Sequence, residues 1–426
     1  MSGDKNNATK EYVQRVIARA KELRLADAFA APKRQVGKAV SAAQAKATTA
    51  MHARNSRRII VAFILALLVV VGISLCLPFR GMDVMGGAGS HYSPLEVLQG
   101  YALWFRLNIM PLFDSTLAGQ NNAVLNEFAN QYGSEAYTYI TNRFVVTMLV
   151  ILCGIMLALA GVLFQTTFRN PIAAPTMLGA ADGVTLGGII FVSVGFESAA
   201  NNPGLYALLV YGCGALTVAL VMGLSRIMSG GKRYNVLDML LLGTVICQLV
   251  GGINQFVQIF VMSDDTWDSF YNIQQATDVL TLPVLQVATV VVFIITFAIV
   301  FRLRFKLNLV AFSDDEATLM GARSGQLRTV ALLLGSAMVL AAMACVGQVA
   351  MLSLAVPFLV RYMLPADFRT QFLGNCLVGS LVLLLCMVVQ HFVVVGYITI
   401  PLGTIVSIVI VPFFVWVVAL SKDGWN

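Results

Sequence analysis

Ten apolar runs of bilayer-crossing length, or close to it, decide what this chain can fold into. A spanning helix needs about 20 mainly apolar residues, and the cores of the runs fall at 59–77, 144–165, 177–194, 205–228, 237–261, 285–301, 329–346, 351–363, 372–395 and 401–420. Hydrophobic residues make up 58% of the 426-residue chain and charged residues 12%. That is about half the charge of a water-soluble globule, so the expected fold class is an all-α polytopic membrane protein. It divides into a basic tail, 1–58, and a ten-helix domain, 59–421.

Charge sets the expected orientation. With the N-terminus in the cytoplasm, only Arg80, Arg106 and Arg143 of the 28 Lys and Arg fall on the outer side, as the positive-inside rule requires. An even number of crossings brings the C-terminus back to the cytoplasm. Residues 1–58 hold 13 Lys and Arg against 4 acids, a net +9, so the remaining 368 residues carry −2 of the total +7. The basicity belongs to one tail and gives no ground for a nucleic-acid partner. Within that tail Val13, Val16, Ile17, Ala20 and Leu23 recur at helical spacing. This suits a helix lying on the anionic leaflet, and equally a plain orienting tail.

The stretch 143–183 joins two runs through a polar knot, Gln165 to Asn170, and a turn bounded by Pro171 and Pro175. Proline donates no backbone hydrogen bond and restricts the residue before it, so Asn170-Pro171 and Ala174-Pro175 mark where one helix stops and the next starts. Asp182, near the start of the third run, fits a helix-end carboxylate or, as a carboxylate within a span, a proton carrier. The fifth run has a polar face: Thr244, Gln248, Gly251, Gln255 and Gln258 recur every three or four residues, with Cys247 and Asn254 beside them. Such a face lines a water-filled path or glues helices together.

Two connections stand out. The outer segment 78–142 contains an amphipathic stretch with Tyr101, Trp104 and Phe105, aromatics that suit a helix at the membrane interface. The inner segment 302–328 places Asp314, Asp315 and Glu316 ahead of Ala317 to Met320 and breaks at Gly321. Acids in the first turn favour a helix through its dipole, so a short cytoplasmic helix open to a partner is expected.

Chemistry is otherwise sparse. The chain has no phosphate-cradling G-x-x-x-x-G-K-[ST], no H-E-x-x-H and no paired-cysteine metal motif. Its seven cysteines lie in or at the ends of the runs and make no extracellular disulfide framework. His52, His91 and His391 share no ligand spacing. An enzyme, a metal site and a bound cofactor are not expected. A path without its own energy source calls for an energising partner.

Several motifs carry a resemblance. Leu159-Ala160-Gly161, Gln165, Asn170-Pro171, Ala173, Pro175 and Leu178-Gly179 follow L-A-G-x-x-x-Q-x-x-x-x-N-P-[IL]-A-x-P-x-x-L-G. Leu307-Asn308, Ser313-Asp314, Ala317 and Met320-Gly321 follow a second pattern; Gly347, Leu354, Pro357 and Arg361 a third; Pro401, Gly403, Pro412 and Phe413 a closing one. Over about residues 93–418 the sequence resembles the FecCD and vitamin-B12-type permeases of ATP-binding cassette (ABC) importers, which take up iron chelates, haem or cobalamin. The resemblance implies type II importer architecture with about ten transmembrane helices, in the cytoplasmic membrane of a prokaryote.

It also implies partners and roles. A second permease chain would complete the central path, lined by Gln248, Gly251, Asn254, Gln255 and Gln258. Separate ATPase subunits, which bind the ATP, would grip Asp314, Asp315, Glu316, Ala317 and Gly321. An extracytoplasmic solute-binding protein would dock at Arg143. The sequence departs from the pattern where Val146 stands in place of a second outer arginine, Phe358 of a histidine, Ala350 and Ser353 of glycines, and Thr399 of a glutamate.

Overall fold

The computed structural model describes residues 56–75, 99–103, 136–195, 199, 201–228, 236–260, 282–310, 324–349, 351–364, 368–392, 394–395 and 398–421. Among the described residues seven helices are long and apolar enough to cross a membrane, and three shorter apolar helices accompany them. The chain divides into Met1–Ala62 and Phe63–Asn426, and the packing below belongs to the second unit. In chain order the helices are α1 (Ser56–Leu75), α2 (Ala136–Phe168), α3 (Ala180–Ser193), α4 (Pro203–Met228), α5 (Val236–Phe260), α6 (Pro283–Val310), α7 (Ser324–Val346), α8 (Leu352–Met363), α9 (Phe368–Phe392) and α10 (Leu402–Ser421). A two-residue hairpin, β1 (Val394–Val395) with β2 (Ile398–Thr399), separates the last two.

α2 is the axis of the bundle. It packs against α6, α7, α8 and α9, and from Val146 to Phe168 most of its side chains are buried. A helix apolar all round has to be enclosed by protein or lipid, and here small residues bring protein close. Gly154 meets the backbone of Gly379 in α9, the small-residue contact by which membrane helices approach.

Four expected boundaries move. α2 begins at Ala136, inside the segment assigned to the outer connection, and the helical residues 99–103 rest on it through Tyr101 and Phe144, ring centroids 6.1 Å apart. The third run begins in a 3₁₀ turn, Pro175–Leu178, not in the α-helix; Gly179 at φ 73 resets the backbone before Ala180. α6 runs on to Val310, carrying Arg302, Arg304 and Lys306 into the segment taken as a connection, because a 28-residue helix is about 42 Å long and outruns the bilayer core. Arg304 lies over the Phe301 ring at 3.9 Å, a placement that favours the cation. α9 stops at Phe392, and the hairpin takes the rest of the ninth run.

α2 ends in a Schellman motif. The Asn170 N–H donates to the Gln165 carbonyl at 3.2 Å and the Arg169 N–H to the Thr166 carbonyl at 3.3 Å. The position that usually holds glycine is Arg169, at φ 51. Asn170 Oδ1 then accepts from the Ile172 N–H at 3.0 Å, which turns the chain ahead of the buried Pro175 and Leu178.

α3 and α8 are the two half-length elements, with 14 and 12 residues. At 1.5 Å per residue they reach about 21 and 18 Å, well short of an apolar core of about 30 Å. Short segments that are not α-helical precede both. They are crossed alike: Gly243 of α5 sits on the Met177 carbonyl before α3, and Gly403 of α10 on the Gln348 carbonyl before α8. The stretch α2 to α5 thus has a counterpart in α7 to α10, running in the opposite direction, as in transporters built from inverted repeats.

Candidate translocation path and its supports

α5 carries three strips. Met239, Gly243, Ile246, Val250 and Asn254 face the bundle. Leu241, Val245, Leu249 and Phe256 form an open apolar strip, each near 60% exposed. Between them runs a polar edge: Thr244, Gln248 and Gln255 are exposed, Gly251 and Gln258 half-buried. Exposed amides cost free energy against hydrocarbon, so this edge belongs to water or to another protein surface.

Asn254 does not join it. The side chain is 5% exposed, and its Nδ2 donates to the Asp182 carbonyl of α3 at 3.1 Å. Among the described residues its Oδ1 has no partner. A 100° step per residue carries position 254 off the strip and into the α3 contact, so its placement on the path is corrected to helix glue. Cys247 also leans on this contact, donating to the Thr176 carbonyl at 3.5 Å and bonding the Asp182 carboxylate. Among the described residues no group of three or more His, Cys, Asp or Glu could hold a metal ion.

The motif residues scattered through the sequence meet in one joint. Pro357 lies inside α8 and offers no N–H to the Ser353 carbonyl four residues back. That carbonyl lies on α2 at Gly161, where any side chain would overlap it. One turn along α2, Gln165 Nε2 donates to the Leu354 carbonyl at 3.1 Å and its Oε1 accepts from Arg361 Nη2 at 3.2 Å. Gly161, Gln165, Pro357 and Arg361 therefore form a single α2–α8 clamp. Phe358, where the pattern has histidine, packs edge-on against Phe414 of α10, centroids 5.2 Å apart.

Pro401 starts α10 through its carbonyl, which accepts from the Thr404 N–H at 3.0 Å. Gly403 follows on the turn before α8. Pro171, Pro175 and Gly179 shape the matching turn before α3.

Arg143 departs from its expected place on a docking surface. It is 5% exposed, and its Nε donates to the Ser74 carbonyl in the last turn of α1, while Ser74 Oγ and Thr147 Oγ1 lie 3.1 Å apart. Carbonyls at a helix C-terminus have no partner within the helix, and a cation there also meets the negative end of the dipole. Arg143 ties α1 to α2. Asp314, Asp315, Glu316, Ala317 and Gly321 lie outside the described residues.

A multi-pass helical bundle, with two half-length helices broken inside it and an open polar edge beside them, is a membrane permease. The chain belongs to the FecCD transport family, whose model matches residues 107–419. It is 26% identical over 279 residues to the iron-uptake system permease protein FeuB of Bacillus subtilis (strain 168), covering 65% of this chain and 80% of that one. Over 281 residues it is 27% identical to the ferric enterobactin transport system permease protein FepD of Escherichia coli (strain K12), with 65% and 80% covered. Over 286 residues it is 28% identical to the hemin transport system permease protein HmuU of Yersinia pestis, with 65% and 81% covered. It shares the fold of a metal-chelate type ABC transporter in an inward-facing conformation, at TM-score 0.62 and 19% identity, covering 85% of this chain and 99% of that one.

Proposed function

We propose that this chain is the permease subunit of an ABC importer that brings in a ferric siderophore or a related iron chelate. The observation that carries the reading is the open polar edge of α5, Thr244, Gln248 and Gln255, on a chain of the FecCD family. A second permease chain covers the open side of α5 and encloses the path. Separate ATPase subunits bind ATP and grip the segment around Asp314, Asp315, Glu316, Ala317 and Gly321. A solute-binding protein delivers the chelate from outside, and the permease itself catalyses no reaction. The distribution of Lys and Arg supports both termini in the cytoplasm, and membership of the FecCD family supports a prokaryotic cytoplasmic membrane.

Haem is the second reading, favoured by the likeness to a hemin transport permease; cobalamin falls in the same class of bulky metal chelates. An ion-coupled secondary transporter, suggested by the intramembrane Asp182, has less support because among the described residues the side-chain partner of Asp182 is the Cys247 thiol. Cells expressing the chain and its partner proteins should take up a radiolabelled ferric chelate, and charge reversal at Asp314, Asp315 and Glu316 should abolish uptake and release the ATPase on purification. Uptake that survives loss of the ATPase would overturn the proposal.

A further inference from the structure

Gln348 is a polar side chain where a lipid-facing surface has no use for one. It stands on the non-helical residues 347–349 after α7, next to Gly347 at φ 74, and it is exposed. Its Nε2 donates to Thr185 Oγ1 at 2.6 Å and to the Ala181 carbonyl at 3.5 Å, and its own carbonyl lies against Gly403 of α10. The next carbonyl along α3, that of Asp182, accepts from Asn254 of α5. Gln348 thus touches α3 and α10, one residue along α3 from the carbonyl that α5 bonds.

Its depth follows from the topology. α3 starts at the end of the bundle where α2 finishes. The chain reverses through α4, α5 and α6, so α7 finishes at the opposite end. A residue just past α7 can bond the first turns of α3 only if both non-helical segments reach toward the middle of the bilayer. Backbone of this kind survives at that depth where protein buries it or water reaches it, and this chain itself does not bury Gln348. No Lys or Arg occurs on α3, α5 or α10 or among residues 347–349. The surroundings offer hydrogen bonds without a cation to hold an anion, which suits weak contacts that let a solute pass.

Resting on the permease reading above, we propose that Gln348 is a solute-contacting residue of the translocation path. Thr185 holds the amide nitrogen in place, and Oε1 meets uncharged hydroxyl and amide groups on the outside of the chelate.

Accessibility tests the position without any solute. In membranes holding the whole transporter, Gln348→Cys should react with a small water-soluble methanethiosulfonate at least about tenfold faster than Leu249→Cys on the open apolar strip, against the wild-type background. Equal rates would overturn the proposal. If Gln348→Cys fails to accumulate, Thr185→Cys takes its place under the same criterion. Uptake of a labelled, uncharged ferric trihydroxamate then tests the contact. Gln348→Leu should lower the maximal rate at least about tenfold with permease level and ATPase co-purification unchanged, and Gln348→Asn should restore part of it. A rate unchanged by Gln348→Leu would overturn the contact. A wild-type chain that carries no iron chelate would defeat the substrate reading of the preceding section, leaving the labelling result to decide this one.

Discussion

Arg361 and Gln165, 196 residues apart in sequence, share a hydrogen bond of 3.2 Å between the last turn of α8 and the end of α2. The same glutamine donates to the Leu354 carbonyl, so one amide holds both ends of a half-length helix whose middle is already broken by Pro357. The bundle's shortest span is thereby fixed to its longest.

Gln165→Leu leaves the Leu354 carbonyl and the guanidinium without this partner. With one hydrogen bond to a neutral group and one to a cation lost, the expected cost is about 2–3 kcal/mol. Thermal unfolding of the purified permease in detergent should show a lower midpoint than wild type, and an unshifted midpoint would refute the clamp.

Gly161→Ala forces a methyl against the Ser353 carbonyl, a group that cannot swing aside as a flexible side chain would. The variant should accumulate poorly and unfold at a lower temperature. Gly72→Ala in α1 has nothing within 4 Å of the added methyl and should match or slightly exceed wild type. Similar behaviour of the two variants in a membrane-accumulation assay would contradict the α2–α8 contact.

Arg143→Met should loosen α1 and cost about 1.5–3 kcal/mol, the range for a hydrogen bond to a charged group. Affinity for the solute-binding protein should stay within about twofold, because the guanidinium is spent inside the molecule. Titration of nanodisc-embedded transporter with labelled binding protein decides this, and a tenfold loss of affinity without a loss of stability would reinstate the docking role.

Asn254 and Gln255 are neighbours with opposite expected phenotypes. Gln255→Leu removes an exposed amide from the polar edge and should slow transport several-fold with the unfolding midpoint preserved. Asn254→Leu strips the Asp182 carbonyl of its donor and should lower the midpoint, at a cost of about 1 kcal/mol. If both variants lose transport alone, or stability alone, the division of α5 into edge and glue is wrong.

How much of this could be read beforehand depends on the range of the interaction. The helical fold and the rough position of each apolar helix follow from local apolarity, and the Asn170-Pro171 turn follows from proline sterics, so both were legible along the chain. Asn254 was misplaced because a helical wheel gives angles within one helix and no neighbour; only the α3 contact shows which way it faces. Arg143 looked exposed because a charge beside an outer segment has no visible partner until α1 comes alongside. Gln348 passed unnoticed since a single glutamine between two apolar runs carries no periodic signal. The nearest clue was Gly347 in the third motif, which marks a break without saying what stands at it.

The crossings at Gly243 and Gly403 carry a mechanical consequence. Each sets a long helix directly on the carbonyl of a broken segment, with no side chain between to absorb movement. A rocking motion of α5 or α10 would press first on the kink beneath it, and the second kink carries Gln348. Widening at one mouth and tightening at the waist would then be two ends of a single seesaw.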